Sequence, residues 1–584
     1  MKKPPDRFAF PKILGWGFVP RGTWSFITDI PIFAAGLAMF YVFILLARYW
    51  ASPFSPQVEI SHSLSALPVY ALYSLLRIGV AYLLSLAFTL VYGYIAAYNP
   101  KAERVMIPLL DILQSIPVLS FLPGVMLAMV ALFPRHQIGV ELGAILLIFT
   151  GQVWNMAFSF YSSLKSIPRE MREAALLYRF TPWQRFMQME LPYAAIGLIW
   201  NSMMSVAGGW FFLMACEMFV LGSRDFRLPG LGSYLQTASS EGDTHAILLG
   251  VITMIAVIVI LDQLVWRPVI AWAQKFKVEQ VESSDEPRSP ILDFLQSSRA
   301  LAAFSRRVTR PLGERLALHF AAREGTRVSS PQSAVAKKWV IRVLGTLVIV
   351  GILFAVVDAL RLLSGLTGPD LRALVVGAFA TFLRVLCALL IGTAWTIPVG
   401  VWIGFNPKLA RIAQPIAQIA ASVPATALFP VVLLLLIRIG GGLGVGSIAL
   451  LLLGTQWYVL FNVIAGAMAI PTDLKEASDI FRFSRWERWR RLILPGIFPY
   501  LVTGLVTAAG GAWNASIVAE YFHFRGQTIS TVGLGAAISH ATDSGNFRLL
   551  LAATIVMAAV VVTVNRTIWR PMYRLAETRF KLEG

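Results

Sequence analysis

The chain has 584 residues, 57% of them hydrophobic and 14% charged, where soluble domains carry roughly 25% charged residues. Such a surface excludes an ordinary soluble protein. The formal net charge of +19 would suit nucleic acid in a soluble chain, but long apolar runs assign it to a membrane surface, so no nucleic-acid partner is expected.

A helix that crosses a bilayer takes about 20 mostly apolar residues. Runs of that kind lie near 32–49, 73–97, 106–132, 141–162, 195–219 and 246–265. A second series lies near 340–360, 375–404, 412–437, 447–467, 498–519 and 549–568. The predicted fold class is all-α integral membrane, with about twelve spans and the lipid bilayer as solvent. If the N-terminus is cytoplasmic, only Arg135, Arg224, Arg227, Arg361, Arg372, Arg438, Arg525 and Arg548 fall in outer segments. Most other Lys and Arg then lie inside, the usual bias of membrane proteins. Both termini are therefore expected in the cytoplasm. Cys216 and Cys387 fall within predicted spans and read as small apolar residues. The six histidines show no metal-ligand spacing, and neither a metal nor a cofactor is expected.

The second half repeats the first at a constant offset. Glu173-Ala174-Ala175 recurs as Glu476-Ala477-Ser478, Arg179 as Arg482, Trp183 as Trp486, and Pro192 as Pro495. Trp210, Glu217 and Gly230-Leu231-Gly232 recur as Trp513, Glu520 and Gly533-Leu534-Gly535. Upstream, at a slightly longer offset, Arg77 matches Arg384, and Asn99-Pro100 matches Asn406-Pro407. The expected organisation is a cytoplasmic N-terminal segment (1–30), a first six-helix repeat (31–268), a basic cytoplasmic linker (269–338), a second repeat (339–571) and a cytoplasmic tail (572–584). Six spans per copy insert both copies the same way up, related by a pseudo-two-fold axis along the membrane normal. In the linker, Leu292, Phe294, Leu295, Leu301 and Phe304 alternate with Arg299, Arg306 and Arg307. Either a basic amphipathic surface helix or a solvated connector accounts for that pattern.

The loop after the fourth span of each copy has built-in structure. Pro168 and Pro471 suit a first helical turn. Thr181-Pro182-Trp183-Gln184 and Ser484-Arg485-Trp486-Glu487 have the capping-box pattern, which predicts a second helix ending near Pro192 or Pro495. These Glu-Ala-Ala and Glu-Ala-Ser segments, followed at a fixed distance by Leu-Pro, resemble the signature loop of membrane subunits of ATP-binding-cassette importers. The wider run, with Gly208-Gly209-Trp210 before Glu217 and Gly511-Ala512-Trp513 before Glu520, is similar to the nitrate/taurine/bicarbonate branch, in a duplicated form.

The resemblance implies a type I importer-like permease in a bacterial cytoplasmic (inner) membrane. It implies two copies of a cytoplasmic ATP-binding subunit, an external substrate-binding protein and a small-molecule substrate of the small-anion class. An uncharged or cationic solute, or a gradient-driven secondary transporter, is the alternative. Glu173, Ala174, Ala175, Arg179 and Trp183, with Glu476, Ala477, Ser478, Arg482 and Trp486, would couple to the ATPase. Arg179 and Arg482 stand where the family usually has glycine. No phosphate-binding loop is present, so no enzymatic activity is expected of this chain.

Charges inside apolar spans are costly and point to function by default. Arg77, Arg384, Glu217 and Glu520, with Trp210 and Trp513, are the candidates for a translocation pathway. The arginines either attract an anion or pair with carboxylates to lock helices together. The two tryptophans, next to Gly208 and Gly511, form either a gate or a packing contact.

Overall fold

The computed structural model describes residue 31, residues 59–221, 224–276, 289–309, 311–315, 356–423, 425–438, 442–524 and 527–579, and scattered positions between 339 and 354. The expected first span, 32–49, lies outside the described residues, as does part of 340–360, of which 356–360 are helical. Eight described helices are long and apolar enough to cross a membrane, four in each copy. Their outward faces are apolar, as with Leu83, Val375 and Phe379, and such a surface is stable only against lipid.

In the first copy, α1 (Leu67–Tyr98) turns at Asn99 into α2 (Pro100–Ser115). The Asn99 side chain accepts from the backbone N–H of Lys101 and Ala102, and Pro100 occupies the first turn, where its missing N–H costs nothing. A short turn, Val118–Phe121, then leads to α3 (Leu122–Leu132). The expected continuous span over 106–132 is therefore broken. Ile116 precedes Pro117 and is forced to extended backbone (ψ 124°), which ends α2. The second copy breaks the run 412–437 in the same way. Its helices are α12 (Pro407–Ser422) and α13 (Ala425–Arg438), and Val423 (ψ 116°) precedes Pro424.

After α3 come α4 (Ile138–Lys165), a short loop helix α5 (Arg169–Leu177) and the long α6 (Pro182–Glu217). Contrary to the sequence expectation, Pro192 does not end a helix. It sits at the start of an α segment preceded by one widened π turn, Phe186–Glu190, in which Leu191 N–H reaches Phe186 O. The wider turn takes up the ring and the lost donor. Pro495 is accommodated identically after Trp489–Ile493, so α16 (Arg485–Ala519) is also continuous.

A small hairpin follows each of these helices, β1–β2 (Val220–Leu221 with Arg224–Asp225) and β3–β4 (Tyr521–Phe524 with Gln527–Ser530). The all-α expectation did not foresee them. Next comes a short buried helix, α7 (Leu231–Glu241) or α17 (Leu534–Asp543), and a last span, α8 (Thr244–Ala273) or α18 (Phe547–Ala576). In the linker, the segment that read as either an amphipathic helix or a solvated connector forms two short helices, α9 (Pro290–Ser297) and α10 (Arg299–Phe304), because Ser298 is extended and caps α10. In the second copy, helical residues 356–363 precede α11 (Gly368–Phe405), and the chain continues through α12 and α13 to α14 (Leu443–Ala469) and α15 (Thr472–Ile480).

Within each copy the first and second of the four long helices pack together, and the second packs on the third: α1 on α4 on α6, and α11 on α14 on α16. Between copies the contacts are reciprocal. The broken span α12–α13 lies against α6, and α12 and α13 also meet α8, while the turn at Val118–Phe121 lies against α16 and α2 against α18. Hydrogen bonds cross this interface from Leu119 N–H to Asn514 Oδ1 (3.4 Å) and from Thr554 Oγ1 to Ser120 O (3.1 Å).

Candidate functional site

The two loop helices end alike. In α5, Tyr178 N–H donates to Ala174 O, Arg179 N–H to Leu176 O and Phe180 N–H to Ala175 O. In α15, Phe481, Arg482 and Phe483 make the matching bonds to Ala477, Asp479 and Ser478. This is the Schellman termination, which needs a left-handed residue at its centre, usually glycine. Arg179 (φ 51°) and Arg482 (φ 49°) occupy that position and are the only non-glycine residues at positive φ among those described. The glycine-to-arginine exchange therefore keeps the turn and leaves the backbone strained.

Both capping boxes form as the sequence predicts. Gln184 N–H donates to Thr181 Oγ1 (3.3 Å) while Thr181 N–H donates to Gln184 Oε1 (3.0 Å). Ser484 and Glu487 exchange the same pair of bonds at 3.0 and 3.3 Å. The turns direct apolar side chains outward: Leu177, Tyr178, Ile480 and Phe481 are each more than 70% exposed. Glu173, Ala174 and Glu476 are exposed as well, Ala477 is half-buried, and Ala175 and Ser478 are buried under the helices. Trp183 is half-buried beside Phe186, whereas Trp486 stands exposed. Sequence reasoning missed the anchor of the first loop. The Arg185 guanidinium lies 2.7 Å from the buried Glu190 carboxylate, which also accepts from Tyr98 Oη at 2.6 Å. In the second loop Arg488 pairs with Asp479 instead.

The membrane arginines are both paired. Arg77 is 1% exposed; its Nε and Nη2 donate to the two oxygens of Glu141 (2.8 and 2.7 Å), and Nη1 donates to Glu217 (2.7 Å) and Pro229 O (2.8 Å). Glu217 further accepts from Ser74 Oγ and from Gly232 N–H at the start of α7. The second copy reproduces this junction with Thr381, Arg384, Glu520 and Gly535. Gly230 and Gly533 leave no room for a Cβ, because it would meet the carboxylates of Glu217 and Glu520. Glu141 has no counterpart: the repeat places Gly444 there, and Arg384 Nη2 donates to Thr531 Oγ1 (2.9 Å). A repeat comparison passes over such a residue; its signal was a carboxylate at the edge of an apolar run.

A cavity of about 560 Å³ lies between the copies. Residues of α6 and α8 form one wall, and residues of α12–α14 and α16 the other. Trp210 is among its lining residues, whereas Trp513, Arg77, Arg384, Glu217 and Glu520 are not. Tyr458 lies between the small residues that precede the two tryptophans. A Cβ on Gly208 would be 3.5 Å from its hydroxyl, and one on Gly511 would be 3.4 Å from its ring. The cavity extends along α6 and α14 from Trp210 and Gly454 to Trp200 and Met468, towards the side of the loop helices.

The sequence profile described as "Binding-protein-dependent transport system inner membrane component" matches residues 89–265 and again residues 396–575, more than half of the chain. The chain is 26% identical over 186 residues to the nitrate import permease protein NrtB of Leptolyngbya laminosa, an alignment covering 32% of this chain and 63% of that protein. It is 27% identical over 170 residues to the bicarbonate transport system permease protein CmpB of Synechococcus elongatus, covering 29% of this chain and 58% of that protein. It is 30% identical over 184 residues to the taurine transport system permease protein TauC of Escherichia coli, covering 31% of this chain and 61% of that protein. The chain belongs to the family of inner-membrane components of binding-protein-dependent transport systems, and it carries the family's domain twice.

Proposed function

We propose that the chain is the transmembrane permease subunit of an ATP-driven importer. Its spans number twelve, in two parallel six-helix repeats (31–268 and 339–571) related by a pseudo-two-fold axis, with both termini cytoplasmic in a bacterial inner membrane. Two copies of a cytoplasmic ATP-binding subunit seat on α5 and α15, and an external binding protein delivers the solute. The observation that carries this reading is the pair of matching loop helices with apolar tips held outward in water.

Each loop is continuous with a helix that reaches the cavity. The capping box at Thr181 opens α6, which lines the cavity from Trp200 to Phe212; the box at Ser484 opens α16, which lines it at Gly511, Asn514 and Ala515. Closure of the ATPases would move the two loops, and through α6 and α16 the walls of the cavity, between outward- and inward-open states. The junctions of Arg77 with Glu217 and of Arg384 with Glu520 keep the outer ends of these helices fixed to α1 and α11. Arg77 and Arg384 are thus locks in this mechanism, and the chain carries out no covalent chemistry.

Kinship with proteins named for nitrate, bicarbonate and taurine transport supports a small anion as cargo. One observation favours the second reading, an uncharged or cationic solute: among the described residues no Lys or Arg lines the cavity.

The test is affinity purification of the tagged full chain from its native membrane, with stoichiometry by native mass spectrometry. Two ATP-binding subunits per chain are expected, and none with the double variant Glu173→Lys/Glu476→Lys inserted normally. An unmodified chain that brings down no ATPase after gentle extraction would refute the reading.

A further inference from the structure

We infer that the cavity between the copies is a binding site for a flat, uncharged heteroaromatic solute, a cargo class unlike a small inorganic anion. This rests on the permease reading and narrows its substrate.

Charge comes first. Among the described residues Asp262 is the only lining residue with a formal charge, and its carboxylate lies 3.4 Å from Arg267, which does not line the cavity. An anion entering here would lose its water and meet an acidic rim with no cation to replace that water. A cation would have to compete with Arg267 for the one carboxylate. A neutral solute faces neither cost.

Shape and polarity come second. Trp457, Tyr458 and Phe461 follow one another along α14, with Trp200 and Phe211 on α6 across the cavity. Aromatic faces of this kind suit a planar ring, which stacks on them or meets them edge-on. The Tyr458 hydroxyl reaches the cavity and has no hydrogen-bond partner among the described residues, so it is available to donate and accept. Asn462 also lines the cavity, its Nδ2 donating to Tyr458 O (2.8 Å) and its Oδ1 left to accept, and Gln414 Nε2 has only the Met468 sulfur, a weak acceptor, at 3.4 Å. A volume of about 560 Å³ falls within the range of small-molecule pockets.

The site is also asymmetric. The repeat puts Asn155 opposite Tyr458, Ile107 opposite Gln414 and Phe211 opposite Asn514, so the mirror position lacks the same hydroxyl and amides. Among the described residues the polar groups of the site therefore lie mostly on the second copy.

The test uses three near-isosteric probes that differ in charge. Equilibrium dialysis of the full chain in lipid nanodiscs would measure nicotinamide (neutral), nicotinate (anionic) and 1-methylnicotinamide (cationic), with indole-3-carboxamide and indole-3-carboxylate as a second matched pair. Saturable binding of the neutral members, at least tenfold tighter than their charged partners, is expected. Tyr458→Phe should weaken it about tenfold, the worth of one hydrogen bond to a neutral partner in a buried site, without moving the melting temperature. Trp457→Phe should retain most of it, and nitrate or taurine should not compete. Preference for a charged probe, competition by nitrate or taurine, or no saturable binding of any neutral probe overturns the inference. ATPase co-purification, measured on the same preparation, separates the two claims. If it is retained without neutral binding, the site is wrong and the permease stands; if it is absent, the permease reading falls too.

Discussion

Replacing Arg179 and Arg482 by glycine should stabilise both loops. Each arginine holds a left-handed backbone, at φ 51° and 49°. For an L-residue that conformation costs about 1–2 kcal/mol. Glycine removes the strain but has a freer unfolded chain, which takes back about 0.4–1 kcal/mol. The net gain is about 0.5–1 kcal/mol per loop, a two- to fivefold slower local opening. The loops share no partner, so the gains should add. Among the described residues neither guanidinium has a hydrogen-bond partner, so alanine, which carries the same strain, should leave opening nearly unchanged. Hydrogen exchange of peptides spanning Tyr178–Phe180 and Phe481–Phe483, on the full chain in nanodiscs, reads this directly. Faster exchange in the glycine variants would refute the backbone argument. Markedly faster exchange in the alanine variants would show that the arginine side chains hold the turns.

Removing Arg77 strands two buried carboxylates, Glu141 and Glu217, and should cost about 3–5 kcal/mol. Arg384→Ala leaves only Glu520, still held by Thr381 and Gly535 N–H, and should lower the melting temperature less; the reverse order in thermal unfolding would contradict the pairing. Gly230→Ala and Gly533→Ala place a methyl against the Glu217 and Glu520 carboxylates and should destabilise strongly, whereas Gly510→Ala, with open space around it, should be tolerated in the same assay. Thr181→Ala and Ser484→Ala each remove a cap worth about 1 kcal/mol and should speed amide exchange in the first turns of α6 and α16, leaving α4 unchanged.

What the sequence could show depended on whether both copies carry it. The apolar runs, the capping boxes, the Asn-Pro corners and the residues Arg77, Glu217, Arg384 and Glu520 recur at two closely similar offsets, and repetition separated them from chance. Proline was the weaker guide, because its effect depends on the turn before it. Ile116 has extended backbone ahead of Pro117 and ends a helix; at Pro192 a widened turn absorbs the ring and the helix goes on. Local sequence does not distinguish those two outcomes, since which one is stable depends on the neighbouring helices. Glu141 and the lining of the cavity lay beyond reach for a related reason. Glu141 faces Gly444 in the repeat, and Tyr458 faces Asn155, so a comparison of copies discards both. The cavity also draws its walls from helices far apart in the chain, and only their packing brings Gly208 and Gly511 close to one tyrosine. The constraint acting on the junctions is the cost of an unpaired buried charge, which applies in both copies and keeps an Arg–Glu pair in each. A solute that meets both walls at once puts no such constraint on either, and there the two halves of a fused chain are free to differ.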